Sequence, residues 1–295
     1  MWQLIKGEQR MGEKNSSVTR VWPILLELVC GERDSTQSLR LLLDLAFKSS
    51  GNVLAAEMRD TAGAVVPSLI EKPLVPRTEY GLRVNLPNCF EYSIPPTERL
   101  LLWMIESTGG SCRPRKGLDI TRANAGRRGD LFGKDEVRRL DARKEATRNL
   151  LRKGVSRSRH EWWAFEGPTS VDCFLETPEA VLLIEGKRTD TIATHTDWCS
   201  SRHQIARNLE AAQSIAKGKR YAVVVAAETV LDVSTAEIER GLPHMNPCER
   251  SFLAGHYIGC VTWRQICVKA PLSVEPDRDL PDIRSAEKWL RQRGY

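Results

Sequence analysis

Within Ser170–Lys187 a short apolar run, Val181–Ile184, ends abruptly in Glu185, Gly186 and Lys187. Side chains on a strand alternate faces, so Glu185 and Lys187, two positions apart, point the same way. Asp172 heads a second strand-like run, and Thr177, Pro178 and Glu179 supply a turn signal between the two. Paired as a hairpin, the runs bring Asp172 to the end that carries Glu185 and Lys187. Packing alone gives no reason to finish a buried strand with two carboxylates and an ammonium, because buried charge is costly unless it is used or paired.

The flanking sequence dictates what surrounds this hairpin. Asp135–Lys153 is predicted to be one helix, with Val137, Leu140, Ala146, Leu150 and Leu151 as its apolar face and Gly154 as its stop. His160–Phe165 (HEWWAF) has the aromatic content of a half-buried strand. Ser200–Lys217 reads as a helix capped by Ser200 or Ser201. Ile205, Leu209, Ala212 and Ile215 or Ala216 face a sheet, and Gln204, Arg207 and Asn208 lie near the helix start. Tyr221–Ala227 (YAVVVAA) is a buried-strand run. The resulting order is helix, three strands, helix, strand.

That order, with Asp172, Glu185 and Lys187 spaced as acid, hairpin, then Glu-x-Lys, resembles the PD-(D/E)XK nuclease superfamily. The two acids stand 185 − 172 = 13 positions apart, and Val171 replaces the proline of the family signature. The resemblance implies an α/β fold with a restriction-endonuclease-like core: a helix, a three-strand meander, a helix and a strand, forming a mixed central sheet flanked by helices. It implies Mg²⁺ (or Mn²⁺) held by Asp172, Glu185 and the Gly186 carbonyl, since a hard cation takes oxygen ligands. Lys187 would assist the attacking water, and Gln204 would position Lys187. Arg207, Arg188, Arg202, Arg157 and Arg159 are expected on nucleic acid. Glu145, then Glu161, are candidates for an extra acid. The function implied is metal-dependent hydrolysis of phosphodiester bonds in DNA, with RNA and a second copy of the chain as further partners. The alternatives are a catalytically inert nuclease-like binding protein and a protein-interaction scaffold.

The charge distribution points the same way. Net charge is only +6 over 295 residues. Basic residues nevertheless crowd the stretch from Arg113 to Arg159, the footprint expected for a phosphate backbone. Gly109–Gly129, rich in Gly and Arg, reads as a linker or mobile loop. The expected division is residues 1–111 as a mostly helical N-terminal accessory region, 112–132 as a basic linker and 133–295 as the nuclease-like domain. In the first part, Val21–Cys30, Ser35–Phe47 and Glu98–Glu106 are predicted helices. Ala64–Asn88, with four prolines, is predicted to be extended or loop-like.

Other classes of function find little support. No apolar run reaches the roughly 18 residues of a membrane helix, and no secretory leader is visible, so a cytoplasmic protein without a membrane partner is expected. The eight cysteines are scattered without a CxxC pair, which suits reduced thiols rather than zinc or a disulfide frame. His195, Cys199 and His203 lack a fourth ligand, and no GxSxG, P-loop or dinucleotide fingerprint is present.

Overall fold

The computed structural model describes residues 16–30, 35–50, 52–61, 92–110, 112, 122–155, 161–176, 179–270 and 272–293. A π-type turn at Ser17–Val21 leads into α1 (Trp22–Cys30), followed by α2 (Ser35–Ser50) and α3 (Val53–Thr61). The predicted stripe of α2, Leu39, Leu42, Leu43 and Ala46, is fully buried. The predicted loop at Ala64–Asn88 lies outside the described residues. A short strand β1 (Tyr92–Ile94) precedes α4 (Glu98–Glu106), whose Thr97 side chain accepts from the Leu100 N–H as predicted.

Two helices come next, α5 (Arg122–Phe132) and α6 (Glu136–Lys153). Helix α5 corrects the reading of Gly109–Gly129 as a linker: from Arg122 onward the segment is helical. Its last turn buries Leu131 in a core shared with α4 and α6. Helix α6 exists as predicted, but its inner face is Ala142, Ala146 and Leu150. Val137, Leu140 and Leu151, expected inside, are 78%, 45% and 59% exposed.

The remaining order is β2 (Thr169–Val171), β3 (Cys173–Glu176), β4 (Ala180–Gly186), α7 (Gln204–Ala216), β5 (Arg220–Ala227), α8 (Thr235–Arg240), α9 (Pro247–Ala254) and β6 (Tyr257–Thr262). The chain then runs through α10 (Trp263–Lys269), α11 (Pro276–Asp279) and α12 (Ile283–Gln292). The main sheet has the order β3-β4-β5-β6. Strands β4, β5 and β6 run parallel, and β3 pairs antiparallel on the outer edge of β4. The body of the sheet is therefore parallel, where a mixed sheet opening on a meander is expected. His160–Phe165 does not supply a strand. Its described residues, 161–165, form an irregular segment whose Trp162, Trp163 and Phe165 are buried. The guanidinium of Arg128 donates to the carbonyls of Trp162 and Ala164, so these two acceptors are satisfied without a ladder. The strand antiparallel to β2 is instead β1.

Helices cover both faces of the sheet, as parallel strands with two apolar faces require. One face packs on α1, α2 and α3 together with α10 and α12. The other packs on α7, with Ile205, Leu209, Ala212 and Ala216 turned inward as predicted, and on α8 and α9. A third core joins α4, α5 and α6 to Trp198 and Cys199, in the segment between β4 and α7. Among the described residues no helix is long and apolar enough to cross a membrane.

Candidate active site at the carboxyl end of β4

The site is set by register. Cys173 pairs with Ile184, so one further step places Asp172 opposite Glu185. The strand bends at Asp172, between β2 and β3, instead of continuing. There the Asp172 carboxylate accepts a 2.7 Å hydrogen bond from the Gly186 N–H. Asp172 is thereby tied to the backbone between Glu185 and Lys187. The side chains of Glu185, on β4, and Lys187, just past its end, share a face: Lys187 Nζ lies 2.9 Å from Glu185 Oε1.

Helix α7 closes this face. Gln204 Nε2 donates to Glu185 Oε1 at 2.6 Å, and Asn208 Nδ2 donates to Glu185 Oε2 at 2.8 Å. Four positions apart, the two amides stand one above the other on the helix. The Gln204 amide is itself oriented, because its Oε1 accepts from the Ala193 N–H at 3.2 Å and the Gln204 N–H donates to the Ala193 carbonyl at 2.8 Å. Glu185 is only 4% exposed, and three donors at its two oxygens offset the cost of burying its charge.

The other side of β4 holds the backbone. Trp263 Nε1 donates to the Lys187 carbonyl at 2.7 Å, and the Lys187 N–H donates to the Ala226 carbonyl at 2.8 Å. A Cβ on Gly186 would stand 2.1 Å from a Val21 methyl, so only glycine admits the turn before α1 this close to the site.

The structure thus brings together Asp172, Glu185, Lys187, Gly186 and Gln204. It adds Asn208, whose spacing from Gln204 is the sequence signal for it, and Trp263, for which the sequence carries no signal. Glu145 and Glu161 do not join them. Glu145 accepts from Arg127 Nε at 2.7 Å, and Glu161 pairs with Lys153 at 2.6 Å. Among the described residues no three His, Cys, Asp or Glu side chains cluster as a metal site. The donor set still suits a hard cation: two carboxylates face one strand end, and an ammonium already sits against one of them.

The arginines separate into different roles. Arg202, expected on nucleic acid, is 1% exposed. Its Nε and Nη2 clamp Glu166 at 2.9 and 2.8 Å, its Nη1 donates to the Gly241 carbonyl at 2.9 Å, and it also contacts Glu210. It is a buried structural cation and cannot touch a phosphate backbone in this fold. Arg188 turns toward Glu228, 3.6 Å away, and donates to the Pro281 carbonyl. Arg207 borders a cleft of about 330 Å³ with Glu166, Thr196, Asp197 and Trp198, close to the start of α7. Arg157 and Arg159 lie outside the described residues. His203 takes a role that the sequence reading did not assign to it. It caps α7 by accepting from the Ile205 N–H at 3.1 Å, and burial lowers its pKa, which suits the neutral ring that this cap needs.

Compared with family models, with curated proteins and with solved structures, the chain matches none.

Proposed function

We propose that the chain is a metal-dependent nuclease that hydrolyses phosphodiester bonds in DNA, with its centre at the carboxyl end of β4. The observation that carries this reading is the meeting of Asp172, Glu185 and Lys187 at one strand end, with Gln204 on Glu185. Asp172 and Glu185 are the residues that would hold Mg²⁺ or Mn²⁺. When bound, such an ion offsets phosphate charge and lowers the pKa of a coordinated water. The chain's own groups supply the rest. Lys187 places an ammonium where negative charge grows on the reacting phosphate. Gln204 and Asn208 fix the Glu185 carboxylate in one orientation. Trp263 fixes the backbone that carries Lys187.

The order of elements supports the same reading in a form the sequence did not suggest. Helices α2 and α3, strand β1, the bent strand β2–β3, strand β4, helix α7 and strand β5 come in the order helices, three strands, helix, strand, once α4, α5 and α6 are set aside. Helices α4, α5 and α6 are then an insertion between the first two strands. This would be a restriction-endonuclease-like core interrupted by a helical module.

A second reading is a nuclease-like protein that binds nucleic acid without cutting it. What favours it is that both Glu185 oxygens are already taken by amides and by Lys187. Incubation of the purified chain with supercoiled plasmid and Mg²⁺ or Mn²⁺, beside Lys187→Ala, separates the two. Cleavage that is lost in the variant is expected. DNA retention without cleavage under either ion would select the second reading.

A further inference from the structure

The stretch from Arg113 to Arg159 looks uniformly basic in sequence, but the fold sorts the cations among its described residues into two groups. Arg127 is spent on Asp130, Asp141 and Glu145. Arg128 is buried over the Phe165 ring, and Arg143 donates to Thr108. Arg139 donates to the Gly133 carbonyl, Arg138 lies near Asp135, and Lys153 pairs with Glu161. These residues hold the insertion together.

Among the described residues Lys134, Lys144, Arg148 and Arg152 remain, and the last three stand on α6. All three are exposed, and they recur at every fourth position of α6. A helix rises about 1.5 Å per residue, so the three charges form a row with steps of about 6 Å. Among the described residues no carboxylate forms an ion pair with any of them; Arg152 contacts only the neutral Asn149 amide. Two of the three acids within the same helix are engaged by another cation; the third, Glu136, lies exposed in the first turn, two turns before Lys144. Asp141 and Glu145 are held by Arg127, and Asp135 caps the helix. The same outer face leaves Val137, Leu140 and Leu151 bare. An evenly spaced cationic row without a close ion pair among the described residues, beside uncovered apolar groups, is a face shaped for a regular polyanion with an apolar sugar edge.

We propose that the outer face of α6 tracks the phosphate backbone of duplex DNA, through Lys144, Arg148 and Arg152. This rests on the nucleic-acid reading above and says where on the molecule the DNA lies. The inner face of α6 shares its core with Trp198 and Cys199, and that segment leads directly to Gln204. DNA held on the insertion is therefore coupled through one packed core to the loop beside the carboxylates.

The test uses the full chain with Lys187→Ala, in chelator, and a fluorescent 30-base-pair duplex whose anisotropy is followed across a NaCl series. Each phosphate contact contributes about 0.9 to the slope of log affinity against log salt, so Lys144→Gln/Arg148→Gln/Arg152→Gln is expected to flatten that slope by about 2.7. Arg264→Gln removes one exposed cation of α10 that is already paired with Asp277 on α11, and it should leave the slope unchanged. The exchange Lys144→Arg/Arg148→Lys/Arg152→Lys should keep it, because charge rather than shape is at work. A triple variant that melts like the parent but retains its slope would overturn the proposal, as would a parent that shows no salt-dependent retention. Retention that depends on the row in a protein that never cleaves would leave this surface standing and remove only the catalytic reading.

Discussion

Glu185 is held from two elements at once, and that makes single substitutions informative. Asn208→Ala removes the donor to Oε2 and leaves a buried carboxylate oxygen without its partner, which costs about 1–3 kcal/mol of stability. Groups that orient a metal-bound carboxylate typically carry 10–100-fold of activity. On the proposed nuclease reading a fall in plasmid cleavage within about that range is expected, and unchanged rates would show that Asn208 plays no part in positioning. Gly186→Ala forces a methyl into the space of Val21 and should destabilise the chain by about 1–3 kcal/mol in urea titrations. At this scale much was legible. Asp172, Glu185 and Lys187 could be read because alternation and a turn signal fix both face and end. Asn208 was legible only as a polar residue near a helix start. Trp263 was not legible, because its bond to the Lys187 carbonyl spans a sheet layer that no local pattern encodes.

Among the elements, α7 is fixed by more than its apolar face. Arg202, just before it, binds Glu166 and Glu210, and Glu210 lies 2.8 Å from His244. Removing one member of such a buried set leaves charge uncompensated, so Arg202→Met should lose about 3–5 kcal/mol. Burial raises the Glu210 pKa, but the Arg202 guanidinium and the His244 contact outweigh it and hold the carboxyl below its ordinary value of 4.5. A carboxyl depressed in the folded state adds stability that is complete above the unfolded pKa and is lost as pH falls through the folded one. The urea midpoint should therefore hold from neutrality to about pH 5 and then fall. A midpoint that stays flat through pH 3 would contradict this account. Helix α7 was readable because one face is wholly apolar. Helix α6 was misread because alanines line its inner face, where α4 and α5 pack, while larger apolar residues point to solvent. Strand β1 was invisible: three residues carry no period, and its partner β2 lies beyond the whole insertion.

On the scale of the whole molecule, the N-terminal helices are what make the sheet possible. A parallel sheet needs both faces covered. Ile24, Leu28, Leu39, Leu42, Leu43 and Met58 share one buried cluster with Leu175, Leu182, Ile184, Val224 and Val261. The sequence suggested a separate accessory region because a proline-rich stretch follows these helices and no catalytic pattern lies in them. The pattern of a helix shows that it has an apolar face, not which layer that face will meet. Each fully buried Val, Leu or Ile contributes about 1.5–3 kcal/mol, so uncovering these five sheet residues costs an amount comparable to a domain's usual net stability of about 5–15 kcal/mol. A chain beginning at Tyr92 should accordingly lose its cooperative thermal melt and bind a hydrophobic dye, even though Asp172, Glu185, Lys187 and α7 are all still present. If that shortened chain melts cooperatively, the N-terminal helices are a removable layer and the sheet is stable with one face bare. Gly186 would then have no α1 turn to accommodate, and Gly186→Ala in the shortened chain should become close to neutral.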